Sequence, residues 1–353
     1  MVVVKDSRVK CGVSVLRERD QCLGAPRSGE IPCGHPALQY GRRRGLFQRI
    51  LRSCYSRGVT ILEVIKKTAP YFEKQGIESP RLTIELLLAH LLKKKRMQLY
   101  LEFERDLDEK TLALLREMVK RRVAGEPLQY ITGETEFCGL KFVVDKRVLI
   151  PRPETELLVG KVVERVRAGD RSQETEGGGR KEVFKIVDVG TGSGCIAISL
   201  AKKLPHAGIT AIDVSAEALD VAKANAKLHE VEKNVRFLES DLLDGLDSSF
   251  VADVIVSNPP YIAVGELAEL PKEVRDFEPV RALAAGEDGL KVIHRLVTNA
   301  RRVLSPSGFM ALEIGAGQGA AVEEFFVQQG WDVVEVVKDL QGHERVIVAQ
   351  PKK

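Results

Sequence analysis

The 353-residue sequence lacks several features that would each assign it to a functional class. No apolar stretch approaches the roughly 20 residues of a membrane-spanning helix, so no membrane span is expected. None of the six cysteines forms a Cys-x-x-Cys pair or a Cys/His cluster at zinc-ligand spacing, so no metal site is predicted. There is no Gly-Lys-Ser/Thr, which excludes a P-loop for a triphosphate. The cysteine usage fits a reducing compartment, and we expect a cytoplasmic protein.

The net charge of +4 is unevenly distributed along the chain. Residues 1–57 hold 12 Lys/Arg and 4 Asp/Glu, whereas the remaining 296 residues hold 42 and 46. A mildly acidic body is not typical of a nucleic-acid binder, so no direct nucleic-acid partner is expected. Residues 1–58 show no convincing periodicity, and we expect a disordered extension or the product of an upstream start. An organellar targeting leader is the minor alternative.

The apolar pattern predicts a small helical bundle over residues 59–125. Apolar residues recur at helical spacing in three stretches, and Ser79-Pro80 and Asp108 provide helix-start signals. Residues 126–158 are predicted to form a β-hairpin followed by a rigid, charged connector, Pro151-Arg152-Pro153-Glu154-Thr155-Glu156.

Strand and helix patterns then alternate through residues 159–353, which is typical of a doubly wound, parallel α/β sheet. The predicted strands are 183–189, 208–213, 234–238, 252–257, 309–314, 332–337 and 344–349. The predicted helices are 194–203, 216–228, 286–304 and 317–329.

The first of these strands ends in a glycine-rich loop, Gly190-Thr191-Gly192-Ser193-Gly194, and a helix follows. Alternate glycines allow a sharp turn and a close approach of the backbone to a ligand, so the loop predicts a nucleotide-like ligand. The second strand ends in Asp213, placed for ribose hydroxyls, and the third ends in Asp241, placed for an adenine amino group. Acidic strand ends suit a cationic sulfonium better than a pyrophosphate, which favours S-adenosylmethionine over NAD.

The fourth strand ends in Asn258-Pro259-Pro260-Tyr261. Two prolines stop the strand and stiffen the backbone. The Asn oxygen and the Pro259 carbonyl are both acceptors, so the tetrapeptide predicts a slot for a planar group that carries an NH2. A tight turn without further function is the alternative.

With these motifs the chain resembles the release-factor glutamine methyltransferases (the HemK/PrmC family), which are class I S-adenosylmethionine-dependent enzymes. The resemblance rests on DVGTGSG, Asp213, NPPY and the run from Gly125 to Val159, and it covers about residues 59–350. It implies a class I fold, mostly parallel with an antiparallel last strand, behind an N-terminal helical domain that binds substrate. It also implies methylation of the amide nitrogen (N5) of the glutamine in the GGQ motif of peptide chain release factors. We expect the protein to be a monomer.

The resemblance also implies roles for individual residues. The loop from Gly190 to Gly194 lines the methionine and ribose parts of S-adenosylmethionine, Asp213 holds the ribose, and the Asp241-Leu242 corner borders the adenine. Asn258 and Pro259 hold the substrate NH2 next to the cofactor, Pro260 stiffens the slot, and Tyr261 packs on the amide plane. Arg152 and Glu154 close the pocket from the side of the helical domain.

Two other activities use the same slot. One is adenine-N6 methylation of a nucleic acid, since NPPY is shared with DNA adenine methyltransferases. The other is methylation of a glutamine in a ribosomal protein. A cofactor-binding scaffold without activity is a third reading, which the intact glycines and intact NPPY disfavour.

Overall fold

The computed structural model describes residues 58–171 and 184–353. The expectations for the extension 1–58 therefore fall outside the described residues, except at Gly58. No helix in the described ranges is long and apolar enough to cross a bilayer.

The helical domain is assembled from amphipathic helices whose apolar faces meet. In chain order its elements are β1 (Val59–Thr60), α1 (Ile61–Lys74), α2 (Pro80–Leu91), α3 (Arg96–Tyr100), β2 (Asp106–Leu107), α4 (Glu109–Val123) and α5 (Leu128–Thr132). Strands β1 and β2 pair antiparallel. Asp108 caps α4 by accepting a hydrogen bond from the Thr111 amide. Ser79 differs from the expected cap, because it is left-handed (φ 46°) and its side chain makes no capping hydrogen bond.

A hairpin and a connector follow. Strands β3 (Glu134–Phe137) and β4 (Leu140–Val143) pair antiparallel around Cys138 and Gly139, which both have positive φ, as a tight hairpin turn requires. The connector leads into helix α6 (Thr155–Arg171).

The remaining elements build a seven-stranded sheet with helices on both faces. They are β5 (Lys185–Val189), α7 (Cys195–Lys203), β6 (Gly208–Asp213), α8 (Ala216–Leu228), β7 (Val235–Glu239), β8 (Ala252–Ser257), α9 (Lys272–Arg275), α10 (Lys291–Ala300), β9 (Leu304–Glu313), α11 (Gly319–Gln328), β10 (Trp331–Lys338) and β11 (Glu344–Pro351). The strand order is β10-β11-β9-β8-β5-β6-β7, and β11 runs antiparallel to both of its neighbours. The predicted fold class, a mostly parallel doubly wound sheet with an antiparallel last strand, is confirmed.

One predicted helix, 286–304, was too long. Gly286 and Gly289 have φ of 87° and 73°, so the chain turns there, and α10 covers only Lys291–Ala300. A Cβ on Gly289 would lie 2.5 Å from the Tyr261 carbonyl oxygen. This turn therefore packs directly on the NPPY segment, and a helix in its place could not.

Asn225, on α8, links the hairpin to the glycine-rich loop. Its side chain is fully buried, and its Nδ2 donates to the carbonyls of Val143 and Ser193, at 3.0 and 2.9 Å. Its Oδ1 accepts from the Val143 amide at 2.8 Å. One side chain thus pairs three backbone groups of two separate segments.

We predict that Asn225→Ala lowers the free energy of unfolding by on the order of 3 kcal/mol, because it leaves these backbone groups without partners. Urea denaturation followed by circular dichroism measures the change. Asn299→Ala is the matched control, because Asn299 only donates to the Arg295 carbonyl on an exposed helix face, and it should cost less than about 0.5 kcal/mol. Equal losses in the two variants would contradict the proposed link.

Candidate active site

The carboxyl ends of the parallel strands meet at one edge of the sheet. Strands β5 and β8 are neighbours, and Val189 pairs with Ser257 at their ends. The Ser257 hydroxyl donates to the Val189 carbonyl at 2.6 Å, which holds the two strand ends together. The glycine-rich loop begins directly after Val189, and NPPY begins directly after Ser257, so the two segments start side by side.

All three glycines of the loop are in the left-handed region that other residues avoid, with φ of 74° at Gly190, 54° at Gly192 and 81° at Gly194. A Cβ on Gly194 would lie 2.9 Å from the Ile198 side chain and 3.1 Å from that of Ala222, so this glycine serves packing. A Cβ on Gly192 would meet nothing within 4 Å, and one on Gly190 would meet only the Asn258 carbonyl oxygen, at 4.0 Å. The first two glycines therefore border open space beside NPPY.

Acidic groups surround this loop. Asp188 is fully buried, and its Oδ2 accepts from the Thr191 hydroxyl at 2.6 Å and from the Ala197 amide at 3.1 Å. Burial raises the pKa of Asp188 to about 7. Within the described residues, neither its Oδ1 nor the buried Ser193 hydroxyl has a hydrogen-bond partner.

Asp213 lies at the end of β6, as the sequence predicted. Its Oδ2 accepts from the Gly192 amide at 2.8 Å, and its Oδ1 accepts from the Ser215 amide at 2.9 Å. Burial raises the pKa of this carboxyl, although both hydrogen bonds lower it. The carboxylate is thus fixed against the glycine-rich loop, and each of its oxygens retains a lone pair for a ligand hydroxyl.

Asp241 and Leu242 form a corner after β7, which ends at Glu239, two residues earlier than the acid assigned to its end. The Asp241 carboxylate pairs with Arg295 at 2.9 Å, and both side chains are about half exposed. Leu242 has φ 53°, a strained conformation for a branched side chain, and it packs against the core between the sheet and α10. The role of this corner at an adenine ring stays a prediction.

Asn258 is held by a residue from the connector. Its Nδ2 donates to the Thr155 hydroxyl at 3.1 Å, and Thr155 is buried at the start of α6. The amide therefore has its NH2 engaged and its Oδ1 left to accept. No hydrogen bond within the described ranges ends on the Pro259 carbonyl, so a second acceptor lies next to the first.

Tyr261 is partly buried and packs against the hydrophobic core on one side of the sheet. Burial raises the pKa of its phenol to about 12, and the nearby Glu313 carboxylate adds to the effect. Its backbone carbonyl accepts from the Gln318 Nε2 at 2.9 Å. The phenol is therefore neutral near pH 7, and the Tyr261 backbone carbonyl is held in place by Gln318.

Of the two connector residues predicted for the site, Arg152 lowers and Glu154 raises the pKa of Tyr261 and of Glu313, so both are within electrostatic range of the Tyr261 side of the slot. Arg152 donates to the Glu278 Oε1 at 2.7 Å. Glu278 is buried, and burial raises its pKa against the effect of Arg152. Arg152 thus ties the connector to the loop that follows NPPY.

Sequence reasoning missed two residues of this arrangement, Thr155 and Glu313. Both are buried polar side chains: Thr155 accepts the hydrogen bond from Asn258, and the negative charge of Glu313 raises the pKa of Tyr261. A signal was present for Glu313, because it is the last residue of β9. The rule that picked out Asp213, an acid at the carboxyl end of a parallel strand, applies equally to it.

Protein families and individual relatives similar to this chain are known. Residues 63–133 match the family model "PrmC N-terminal domain", and residues 180–270 match "Methyltransferase small domain". The release factor glutamine methyltransferase of Rhodopirellula baltica is 40% identical over 82% of this chain and 96% of its own length. That of Chlorobaculum tepidum is 43% identical over 81% and 95%.

The chain belongs to the release factor glutamine methyltransferase family. Among solved structures, the chain is similar to a methyltransferase from Pyrococcus furiosus, which is 18% identical over 70% of this chain and 100% of that one, with a TM-score of 0.44.

Membership in this methyltransferase family implies S-adenosylmethionine, and the residues present fit that ligand. Gly190 and Gly192 border open space, Asp213 offers carboxylate oxygens beside it, and Asp188 and Ser193 carry buried polar atoms without partners in the described part of the chain. A methyl donor at the glycine-rich loop would lie next to the two acceptors of NPPY.

We predict that Gly192→Ala weakens the affinity for S-adenosylmethionine about tenfold or more, because its Cβ would fill the space left for the ligand. Isothermal titration calorimetry measures the affinity. Gly133→Ala is the matched control. Gly133 also has positive φ (76°), and a Cβ there would also meet nothing within 4 Å, but it lies at the end of α5 and outside the glycine-rich loop. Both variants should lose about 1–2 kcal/mol of stability from backbone strain. Unchanged affinity in Gly192→Ala would place the cofactor elsewhere.

Proposed function

We propose that this protein transfers a methyl group from S-adenosylmethionine to the side-chain amide nitrogen (N5) of the glutamine in the GGQ motif of peptide chain release factors. The observation that supports it most is the fixed Asn258 amide. Its NH2 is engaged by Thr155 at 3.1 Å, its Oδ1 accepts no hydrogen bond from the described residues, and its backbone carbonyl lies beside Gly190 of the glycine-rich loop.

An amide nitrogen is a poor nucleophile, because its lone pair is delocalised into the carbonyl group. Asn258 Oδ1 and the Pro259 carbonyl each accept one of the two hydrogens of the glutamine NH2. The two acceptors raise the electron density on the nitrogen and orient it toward the methyl donor. Positioning of this kind lowers a reaction barrier by several kcal/mol.

The cofactor supplies an electrophilic methyl group on a sulfonium sulfur. The loop from Gly190 to Gly194 holds its methionine and ribose parts, Asp213 accepts from the ribose hydroxyls, and the corner at Asp241 and Leu242 borders the adenine. Asp241 already forms an ion pair with Arg295, so Asp213 is the acid better placed to accept hydrogen bonds from the cofactor.

Tyr261 and the connector form the substrate side of the slot. The neutral Tyr261 ring packs on the plane of the glutamine amide, and Pro260 keeps the backbone between it and Asn258 rigid. Arg152, held by Glu278, and Glu154 close the slot on the side of the helical domain. A new N–C bond forms as the S–C bond breaks, and the amide proton is lost to solvent without a strong base.

We further propose that the helical domain, residues 59–125, binds the release factor. The protein acts as a cytoplasmic monomer in translation termination. Recognition runs through protein contacts, without direct binding of nucleic acid or membrane.

Incubation of the purified protein with labelled S-adenosylmethionine and a release factor tests the proposal. The release factor should be labelled, and Gln→Ala in its GGQ motif should abolish the label. Parallel reactions contain duplex DNA and ribosomal protein. Labelling that persists in the Gln→Ala release factor, or that appears only on DNA or ribosomal protein, would overturn the proposal.

Asn258→Ala should cut turnover on the order of 100-fold, since it removes one of the two acceptors, while S-adenosylmethionine binding survives. Initial rates and calorimetry measure the two effects. Asn234→Ala is the control, because the Asn234 side chain only donates to the exposed Pro205 carbonyl, and it should leave turnover unchanged. Near-normal turnover in Asn258→Ala would contradict the acceptor role.

A further inference from the structure

Glu278 is a buried carboxylate that the proposed chemistry does not use. It lies in the loop that follows NPPY, its side chain is 1% exposed, and its Oε2 has no hydrogen-bond partner among the described residues. Its Oε1 accepts from Arg152 Nη2 at 2.7 Å, and the Arg152 side chain is about one third exposed. Because burying a carboxylate costs free energy that a single ion pair offsets only in part, a stabilising role does not by itself account for Glu278.

The loop that carries Glu278 is closed at its base by the residue that directly follows NPPY. The Ile262 amide donates to the Leu283 carbonyl at 3.0 Å, and the Ile262 carbonyl accepts from the Ala285 amide at 2.8 Å. The loop of residues 263–284 therefore leaves the NPPY segment and returns to it at the same point. Glu278 is thus carried by a loop whose two ends are both anchored at this segment.

Three consecutive hydrogen bonds link Glu278 to Asn258 through the connector. Arg152 donates to the Glu278 carboxylate at 2.7 Å, and the Arg152 backbone carbonyl accepts from the Thr155 amide at 3.2 Å. The Thr155 hydroxyl in turn accepts from Asn258 Nδ2 at 3.1 Å. The two prolines of the connector restrict the backbone on both sides of Arg152, so a displacement of Arg152 is passed on to Thr155.

We propose that Glu278 is a positioning residue for methyl transfer: by holding Arg152, it fixes the connector turn that places the Thr155 hydroxyl against the Asn258 amide. This inference rests on the proposed function of the NPPY slot, in which the Asn258 oxygen accepts from the substrate NH2. Glu278 acts through its neighbours and not on the substrate itself. Its loss therefore lowers the rate at which bound substrate reacts and leaves cofactor binding intact.

A small displacement is enough to produce this effect. Without its partner, the partly exposed Arg152 side chain turns to water, and the connector turn loses its link to the loop. The Thr155 hydroxyl then no longer holds the Asn258 NH2 in one place, and the acceptor oxygen of Asn258 loses its alignment with the substrate. A misplacement of about 1 Å in a catalytic group lowers a rate by as much as about 100-fold.

The first test compares kcat of wild type and Glu278→Gln at saturating release factor and S-adenosylmethionine. Glutamine keeps the shape of Glu278 but weakens the charge-assisted hydrogen bond with Arg152, so kcat should fall about tenfold. Glu273→Gln is the matched control. Glu273 lies in the same loop and pairs with Arg122 of the helical domain, also at 2.7 Å, but it is not part of the link to Asn258. Its kcat should stay within about twofold of wild type.

The second test separates positioning from a general structural role. Thr155→Val removes the hydroxyl through which Glu278 acts on Asn258. Adding Glu278→Gln to Thr155→Val should therefore lower kcat by less than a further factor of about two, although it costs about tenfold in the wild-type background. Thr155→Ser keeps the hydroxyl, so the tenfold effect of Glu278→Gln should be retained in that background. A merely structural Glu278 would lower kcat by the same factor in all three backgrounds.

Calorimetric titration of S-adenosylmethionine shows whether each variant is folded, and affinities within about threefold of wild type are expected. If Glu278→Gln does not fold, Arg152→Gln takes its place with the same expectations for kcat, because it breaks the same ion pair from its more exposed side. A kcat of Glu278→Gln within about twofold of wild type would overturn the proposal, and so would equal factors in the Thr155 backgrounds or an equal loss in Glu273→Gln. A wild-type enzyme that fails to methylate the release factor would instead refute the proposed function.

Discussion

The parallel pairing of β5 with β8 is the constraint on which the rest of the site depends. Their register joins Val189 to Ser257, and the Ser257 hydroxyl fixes it with a buried hydrogen bond of 2.6 Å. A shift by one residue would turn every side chain of a strand to the opposite face of the sheet. With the register fixed, the glycine-rich loop and the NPPY segment start at adjacent points on the same edge of the sheet. This is also the topological switch point, where open α/β sheets bind their ligands.

Ion pairs connect the helical domain and the connector to the loop that follows NPPY. Arg122, at the end of α4, pairs with Glu273 at 2.7 Å, and the connector residue Arg152 pairs with the buried Glu278. The Tyr130 hydroxyl of α5 donates to the Val148 carbonyl at 2.6 Å. These contacts hold the helical domain, the connector and the NPPY loop as one arrangement. A protein substrate held by the helical domain would therefore present its glutamine to a slot of fixed geometry.

Much of this could be predicted from sequence, because it depends on local patterns. Strand ends, alternate glycines and the double proline are each short signals, and they place Asp213 and Asn258 correctly at the same edge of the sheet. The overlong helix 286–304 shows the limit, since Gly286 and Gly289 lie in a stretch that is otherwise suited to a helix, and the turn depends on packing against Tyr261. Serine is a residue type that commonly caps a helix, yet the Ser79 backbone is left-handed and its side chain makes no capping hydrogen bond.

The contact between Asn258 and Thr155 could not be predicted from sequence for a different reason. The two residues are 103 positions apart, and neither local sequence contains a signal for their hydrogen bond. Thr155 reads as part of a charged connector, and Asn258 as the start of a stiff turn after a buried strand. Only the fold brings the Thr155 hydroxyl within 3.1 Å of the Asn258 side-chain nitrogen.

Mass spectrometry of a release factor after incubation with this protein and S-adenosylmethionine is the most direct test of the central claim. The expected result is one methyl group on the side-chain amide nitrogen of the GGQ glutamine, formed by wild type and lost in Asn258→Ala. A methyl group on any other residue of the release factor, or an unmodified release factor alongside methylated adenine in DNA, would contradict it.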